Sequence, residues 1–99
     1  MKNYFYLLSF LFFAATNCFS QSENAVVKFV NPATVAKPKG YSTSAHIDLG
    51  NAKMIIISGL VALDKEGNVV GKGDITRQLE QIFTNMKYIV EDAGGTMND

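Results

Sequence analysis

Ser44-Ala45-His46-Ile47-Asp48-Leu49-Gly50-Asn51-Ala52-Lys53-Met54-Ile55-Ile56-Ile57-Ser58-Gly59-Leu60-Val61-Ala62-Leu63 is the stretch whose reading decides the fold. In its first part Ala45, Ile47 and Leu49 alternate with Ser44, His46 and Asp48. That is the period of a half-buried strand, because successive side chains of extended backbone point to opposite faces. Gly50-Asn51 is the kind of pair that supplies the positive φ angles of a tight hairpin. Met54 to Leu63 then runs apolar without alternation, and Ile55, Ile56 and Ile57 place branched side chains on both faces. The reading is an antiparallel hairpin whose second strand is central in its sheet. Gly59 inside that run predicts a bulge or a close approach by another group.

Beyond the hairpin, Asp64-Lys65-Glu66-Gly67-Asn68 reads as a turn and Val69-Val70 as a few further paired residues. Asp74 can offer a carboxylate oxygen to the open amides of a helix start. From Ile75 the apolar positions Leu79, Ile82, Phe83, Met86, Ile89, Val90 and Ala93 recur by threes and fours, the period of a helix with one apolar stripe. Arg77, Gln78, Glu80, Gln81, Thr84, Asn85, Lys87 and Glu91 are assigned to the opposite, polar face, and Gly94-Gly95 to the helix stop. The stripe is read as core and not as a groove for a partner. A helix of this kind needs a sheet to cover it, and domains close by burying one layer on another. Thr96 to Asp99 adds no strand, so residues 21–99 are expected to be an incomplete layer, the N-terminal part of a domain.

On the N-terminal side, Val26 to Val30 is a short β-branched run with Lys28 at its centre, expected as an edge strand and ended by Asn31-Pro32. Before it, Lys2 precedes an apolar and aromatic run from Tyr4 to Ala15, and Cys18-Phe19-Ser20 puts small residues at the recognition positions ahead of Gln21. Residues 1–20 therefore read as a secretory signal peptide cleaved before Gln21, and the run is too short for a membrane span of roughly 20 residues. Export, periplasmic or secreted, is the expected destination. A lipid-modified Cys18 is the lesser alternative, since Asn17 stands where such sites want a very small residue. Cleavage removes the sole cysteine, so neither a disulfide nor a thiol nucleophile is expected.

Nine basic residues balance nine acidic ones, and the lysines are scattered singly, so nucleic acid is not an expected partner. The expected export segment inflates the 47% hydrophobic content, and the rest is closer to an ordinary soluble composition, so no membrane residence follows from it. His46, the sole histidine, shares a polar strand face with Ser44 and Asp48 and is expected to be exposed, not a base or ligand. No metal site is expected, because these residues provide too few ligands. Gly67-Asn68-Val69-Val70-Gly71-Lys72-Gly73 is one residue short of a phosphate loop and lacks its hydroxyl; Thr76 stands where a dinucleotide fingerprint needs its third glycine.

Tyr41, Asp48-Leu49-Gly50-Asn51, Ile55-Ile56-Ile57-Ser58-Gly59 and Ala62-Leu63-Asp64, followed by Gly73-Asp74-Ile75, Gln78, Phe83, Asn85-Met86 and Ala93-Gly94-Gly95, form an ordered set. It resembles the first half of the RidA (YjgF, reactive intermediate deaminase) family. The resemblance implies an α+β fold of the trimeric chorismate-mutase type, a sheet backed by two helices with ligand clefts between subunits of a homotrimer. It implies hydrolysis of enamine and imine intermediates, 2-imino acids, to keto acids and ammonia, without metal or organic cofactor. Tyr41 matches the family's cleft tyrosine and Ser58-Gly59 its serine-glycine pair, which makes these three the candidate substrate-binding residues.

The family's carboxylate-clamping arginine and water-placing acidic residue belong to the second half, beyond Asp99, so no catalytic residue is named in this chain and this portion alone is expected to be inactive. Arg77, on the polar helix face, is not a substitute. Leu60 departs from the family's usual glutamine, and the loop from Tyr41 to Gly50 is about two residues longer than in the best-known deaminases, which suggests a divergent subgroup. The residues alone leave blander readings open: Tyr41 as a loop anchor, Ser58-Gly59 as a packed pair. The alternative functions are a non-catalytic member of the same fold that binds a small carboxylate or a protein surface, and an inactive remnant.

Overall fold

A computed structural model of the chain describes residues 26–99. The expected signal peptide, its expected cleavage position and Cys18 lie outside the described residues. Three strands form one antiparallel sheet in the order β1-β2-β3: β1 is Val27–Val30, β2 Ser44–Asp48 and β3 Lys53–Ile57. The helix α1 follows at Ile75–Asp92. The architecture is α+β, an antiparallel sheet with a helix laid on it.

The hairpin between β2 and β3 forms where Gly50-Asn51 predicts it. Leu49 N–H donates to the Ala52 carbonyl at 2.9 Å, and Gly50 N–H donates to Asp48 Oδ1 at 2.8 Å. Gly50 alone takes the left-handed position, at φ 86°. One positive φ at the first of two loop residues is what a type II′ hairpin demands, so Asn51 needs none.

Within the described residues the second strand does not have the central position expected of it. Among the described residues β2 is in the middle and β3 is at an edge, as is β1. β3 also ends at Ile57, so the apolar run to Leu63 is not one strand. Gly59 lies past the strand and would have open space beside an added Cβ, so no close approach requires it among the described residues. Ser58 N–H still donates to the Thr43 carbonyl at 3.0 Å, after which the chain leaves the ladder and returns as a short second hairpin. Leu63 pairs with Val69, and Val70 N–H donates to the Ala62 carbonyl at 2.8 Å, around the predicted turn at Asp64 to Asn68.

The two faces of the sheet have different fates. Lys53 Nζ donates to the Ala93 carbonyl at the helix end at 2.9 Å, which marks its face as the helix side. By register that face also carries Ser44, His46, Ile55 and Ile57, and Ser44 is 2% exposed. Val27, Phe29, Ala45, Ile47, Met54 and Ile56 share the opposite face, where Phe29 is 75% and Ile56 53% exposed. The isoleucine run is thus explained without two flanking strands: Ile55 and Ile57 face the helix, and Ile56 joins an open apolar face. His46 is corrected accordingly. It is half-buried on the helix side, its Nε2 3.1 Å from Ser44 Oγ.

Both predicted ends of α1 hold. Asp74 Oδ1 accepts from the Arg77 N–H at 3.2 Å as the N-cap. At the other end Ala93 is the C-cap, Gly94 turns left-handed at φ 87°, Gly94 N–H donates to Glu91 and Gly95 N–H to Val90, each at 3.0 Å. These are the paired bonds of a Schellman motif, which satisfies carbonyls the helix leaves open. The expected face assignment of Asn85 is corrected, because Asn85 is 6% exposed, shares the buried helix face with Ile89 and Ala93 at four-residue spacing, and reaches the Val61 and Leu63 carbonyls beyond β3. The flank that carries Ile75, Leu79 and Phe83 is exposed instead. Val35, Ile89, Ala93 and Pro32 are the buried apolar side chains among the described residues, and Ile89 alone of the larger ones is fully buried. No helix among the described residues is long and apolar enough to cross a membrane.

Candidate functional site

The segments that leave β1, enter β2 and leave β3 meet beside the middle of α1. Asn31, just past β1, accepts from the Thr43 N–H through Oδ1 at 2.8 Å, so the end of the long loop before β2 is fixed to the end of β1. Thr43 in turn receives Ser58 N–H on its carbonyl. On the far side Asn85 Nδ2 donates to the Leu63 carbonyl at 2.9 Å and the Val61 carbonyl at 3.4 Å. These bonds hold open a cavity of about 40 Å³.

All three candidate residues border it. Tyr41 comes from the loop before β2 and is 57% exposed; Ser58 and Gly59 come from the chain just past β3. Thr43, Asn85, Leu60, Val61 and Leu63 complete the wall nearest them. Ser58 Oγ is buried and has no hydrogen-bond partner among the described residues. A buried hydroxyl without a partner carries a desolvation penalty of about 1–3 kcal/mol, so it marks a position where an incoming polar group gains a bond at once. Ser58 also borders a wider hollow of about 220 Å³ over the open sheet face, with Phe29, Ala45 and Ile56.

Among the described residues no Asp, Glu, His, Lys or Arg lines the cavity. Among the described residues no group of three potential ligands gathers to hold a metal ion. The wall can therefore orient a small neutral polar group through the Ser58 and Tyr41 hydroxyls, but it supplies neither a base nor a cation. Its volume suits a few water molecules, against roughly 300–1,000 Å³ for small-molecule sites. It has the character of one side of a cleft. Arg77 remains on the exposed helix surface and is not among the lining residues.

Thr43 and Asn31 had no distinguishing signal in the sequence. Asn85 had one: it lies three residues after Ile82 and four before Ile89, inside the arc that the helical period buries.

Comparison with known proteins matches this sequence to a family. A RutC family protein of Pyrococcus abyssi is 38% identical over 63 residues, which is 64% of this chain and 47% of that protein. The chain spans about half the length of that curated relative. Residues 31–99, which include every residue of the cavity wall, match the family model described as Endoribonuclease L-PSP. The chain belongs to this family, the one to which the RidA proteins belong.

Proposed function

We propose that the complete protein hydrolyses enamine and imine intermediates, releasing a 2-keto acid and ammonia, and that residues 21–99 are the N-terminal part of its RidA-like domain. The observation that carries this reading is the buried, unpartnered Ser58 hydroxyl on a wall shared with Tyr41 and Gly59. A 2-imino acid is electrophilic at its imine carbon. Water adds there, the C–N bond breaks as nitrogen takes up protons, and the carbonyl is left behind. An enzyme needs mainly to hold the substrate, aim the water and stabilise developing charge. Ser58 and Tyr41 supply hydroxyls toward the reacting centre; a guanidinium beyond Asp99 would grip the carboxylate in bidentate fashion. No metal or organic cofactor is invoked.

The proposal includes a homotrimer in which the open face of Val27, Phe29, Ala45, Ile47, Met54 and Ile56 is covered by other subunits, since an apolar face of this kind favours burial. It also includes export after cleavage before Gln21. A second reading, a non-catalytic member that binds a small carboxylate or a protein surface, is favoured by the absence of any charged side chain on the described wall. The same uncharged wall gives no support to an RNA-cleaving role for this chain.

The test is ammonia release by the complete protein from 2-iminobutanoate generated in situ by an amino-acid oxidase. Release above the buffer rate that is abolished when the clamping arginine is replaced supports the proposal. Release no faster than in buffer refutes the enzymatic part and favours the binding module.

A further inference from the structure

We infer that Asn85 is a positioning residue for the Ser58-Gly59 wall, an inference that rests on the deaminase reading above. Asn85 is a buried amide in the middle of a helix, where an apolar residue would serve packing as well. Its hydrogen bonds account for its presence. Nδ2 donates to the Val61 and Leu63 carbonyls, and Oδ1 accepts from Gln81 Nε2 at 2.9 Å. Gln81 thus fixes the amide's orientation and turns both donors toward the chain beyond β3.

That chain has two anchors. Ser58 N–H is held by the Thr43 carbonyl at 3.0 Å, and the next backbone attachments begin at Val61 to Leu63, where Asn85 binds. Gly59 and Leu60 span the interval between them and form part of the cavity wall. The second anchor sets the curvature of the span, and with it the direction in which the Ser58 hydroxyl and the Gly59 amide face. Small displacements of groups around a reacting centre act on kcat. The substrate's carboxylate is gripped elsewhere in the proposed cleft, so binding strength is set largely apart from Asn85.

The experiment compares the complete wild-type protein with Asn85→Leu, Asn85→Asp and Gln81→Leu in the 2-iminobutanoate assay, with melting curves for each. Leu removes both donors at similar volume. Asp keeps the shape but turns acceptor oxygens toward two carbonyls. The expected result is a fall in kcat of about 10- to 100-fold for both Asn85 variants, with KM within about 3-fold of wild type, and a smaller fall in kcat for Gln81→Leu. Should Asn85→Leu fail to fold, the Gln81→Leu comparison decides by the same kcat-against-KM split. Active wild type with unchanged kcat in the folded variants, or a rise in KM alone, overturns the Asn85 inference and leaves the deaminase reading standing. An inactive wild-type protein overturns both.

Discussion

Lys53, the first residue of β3, donates its Nζ to the Ala93 carbonyl at the end of α1 at 2.9 Å, joining positions 40 residues apart. The contact places a cation where the helix dipole is negative and satisfies a carbonyl that the helix leaves open. Lys53→Met keeps the stem's packing and removes the donor. It is expected to lower the unfolding free energy of the complete protein by about 0.5–1 kcal/mol. Urea unfolding measures this, and a midpoint equal to wild type at unchanged slope contradicts it.

Gly71 and Gly73 both take positive φ, at 68° and 78°, yet their surroundings differ. A Cβ at Gly71 would lie 2.8 Å from Arg77 Cβ and 3.0 Å from the Gln78 backbone nitrogen, whereas nothing lies within 4 Å of one at Gly73. Gly73→Ala is expected to destabilise by about 1 kcal/mol through backbone strain alone. Gly71→Ala is expected to cost about 2–3 kcal/mol, because the atoms it meets belong to the rigid first turn of α1. Equal losses in the two variants would show that the close approach of Gly71 to α1 is not a constraint.

Asp64 closes the turn after the cavity wall. Its carboxylate accepts from Asn68 Nδ2 at 3.0 Å and from the Asn68 N–H at 2.8 Å, and these bonds hold its pKa below the ordinary aspartate value, the side-chain bond most strongly. With the native pKa lowered, the contribution to stability is present above the unfolded value and is lost as pH falls through the native one. Carbon-detected NMR should show Asp64 titrating below ordinary aspartates, and Asn68→Ala should raise it. An Asp64 that titrates normally in both proteins contradicts the hydrogen-bond account.

Both termini of α1 were legible because capping chemistry is local: Asp74 before the periodic run and Gly94-Gly95 after it are sufficient. The hairpin at Gly50 was legible for the same reason. Which face of the sheet the helix takes was not, since alternation in β2 shows which side chains share a face and not what covers them. Asn85's polarity points to solvent while its spacing to Ile82 and Ile89 points to the buried face, and in the structure the spacing prevails. Tyr41, Ser58 and Gly59 were nameable through the family resemblance; their meeting at one cavity depends on contacts between the ends of β1, β2 and β3 that no local pattern encodes.

Export predicts a defined new terminus. The complete protein, expressed in a host with a secretion pathway, is expected outside the cytoplasm with Gln21 as its first residue. N-terminal sequencing of the exported fraction checks this. Retention of Met1 in a cytoplasmic product contradicts it.

The account depends most on Ser58, whose buried Oγ has no partner within the described residues. The most direct test is the initial rate of ammonia release from 2-iminobutanoate by the complete protein and by its Ser58→Ala variant, each shown by melting to be folded. The account predicts release above buffer by the wild type and a loss of about 10- to 100-fold in the variant, with no fall in melting temperature, since Ala removes an unsatisfied hydroxyl. A Ser58→Ala protein that releases ammonia as fast as wild type contradicts it.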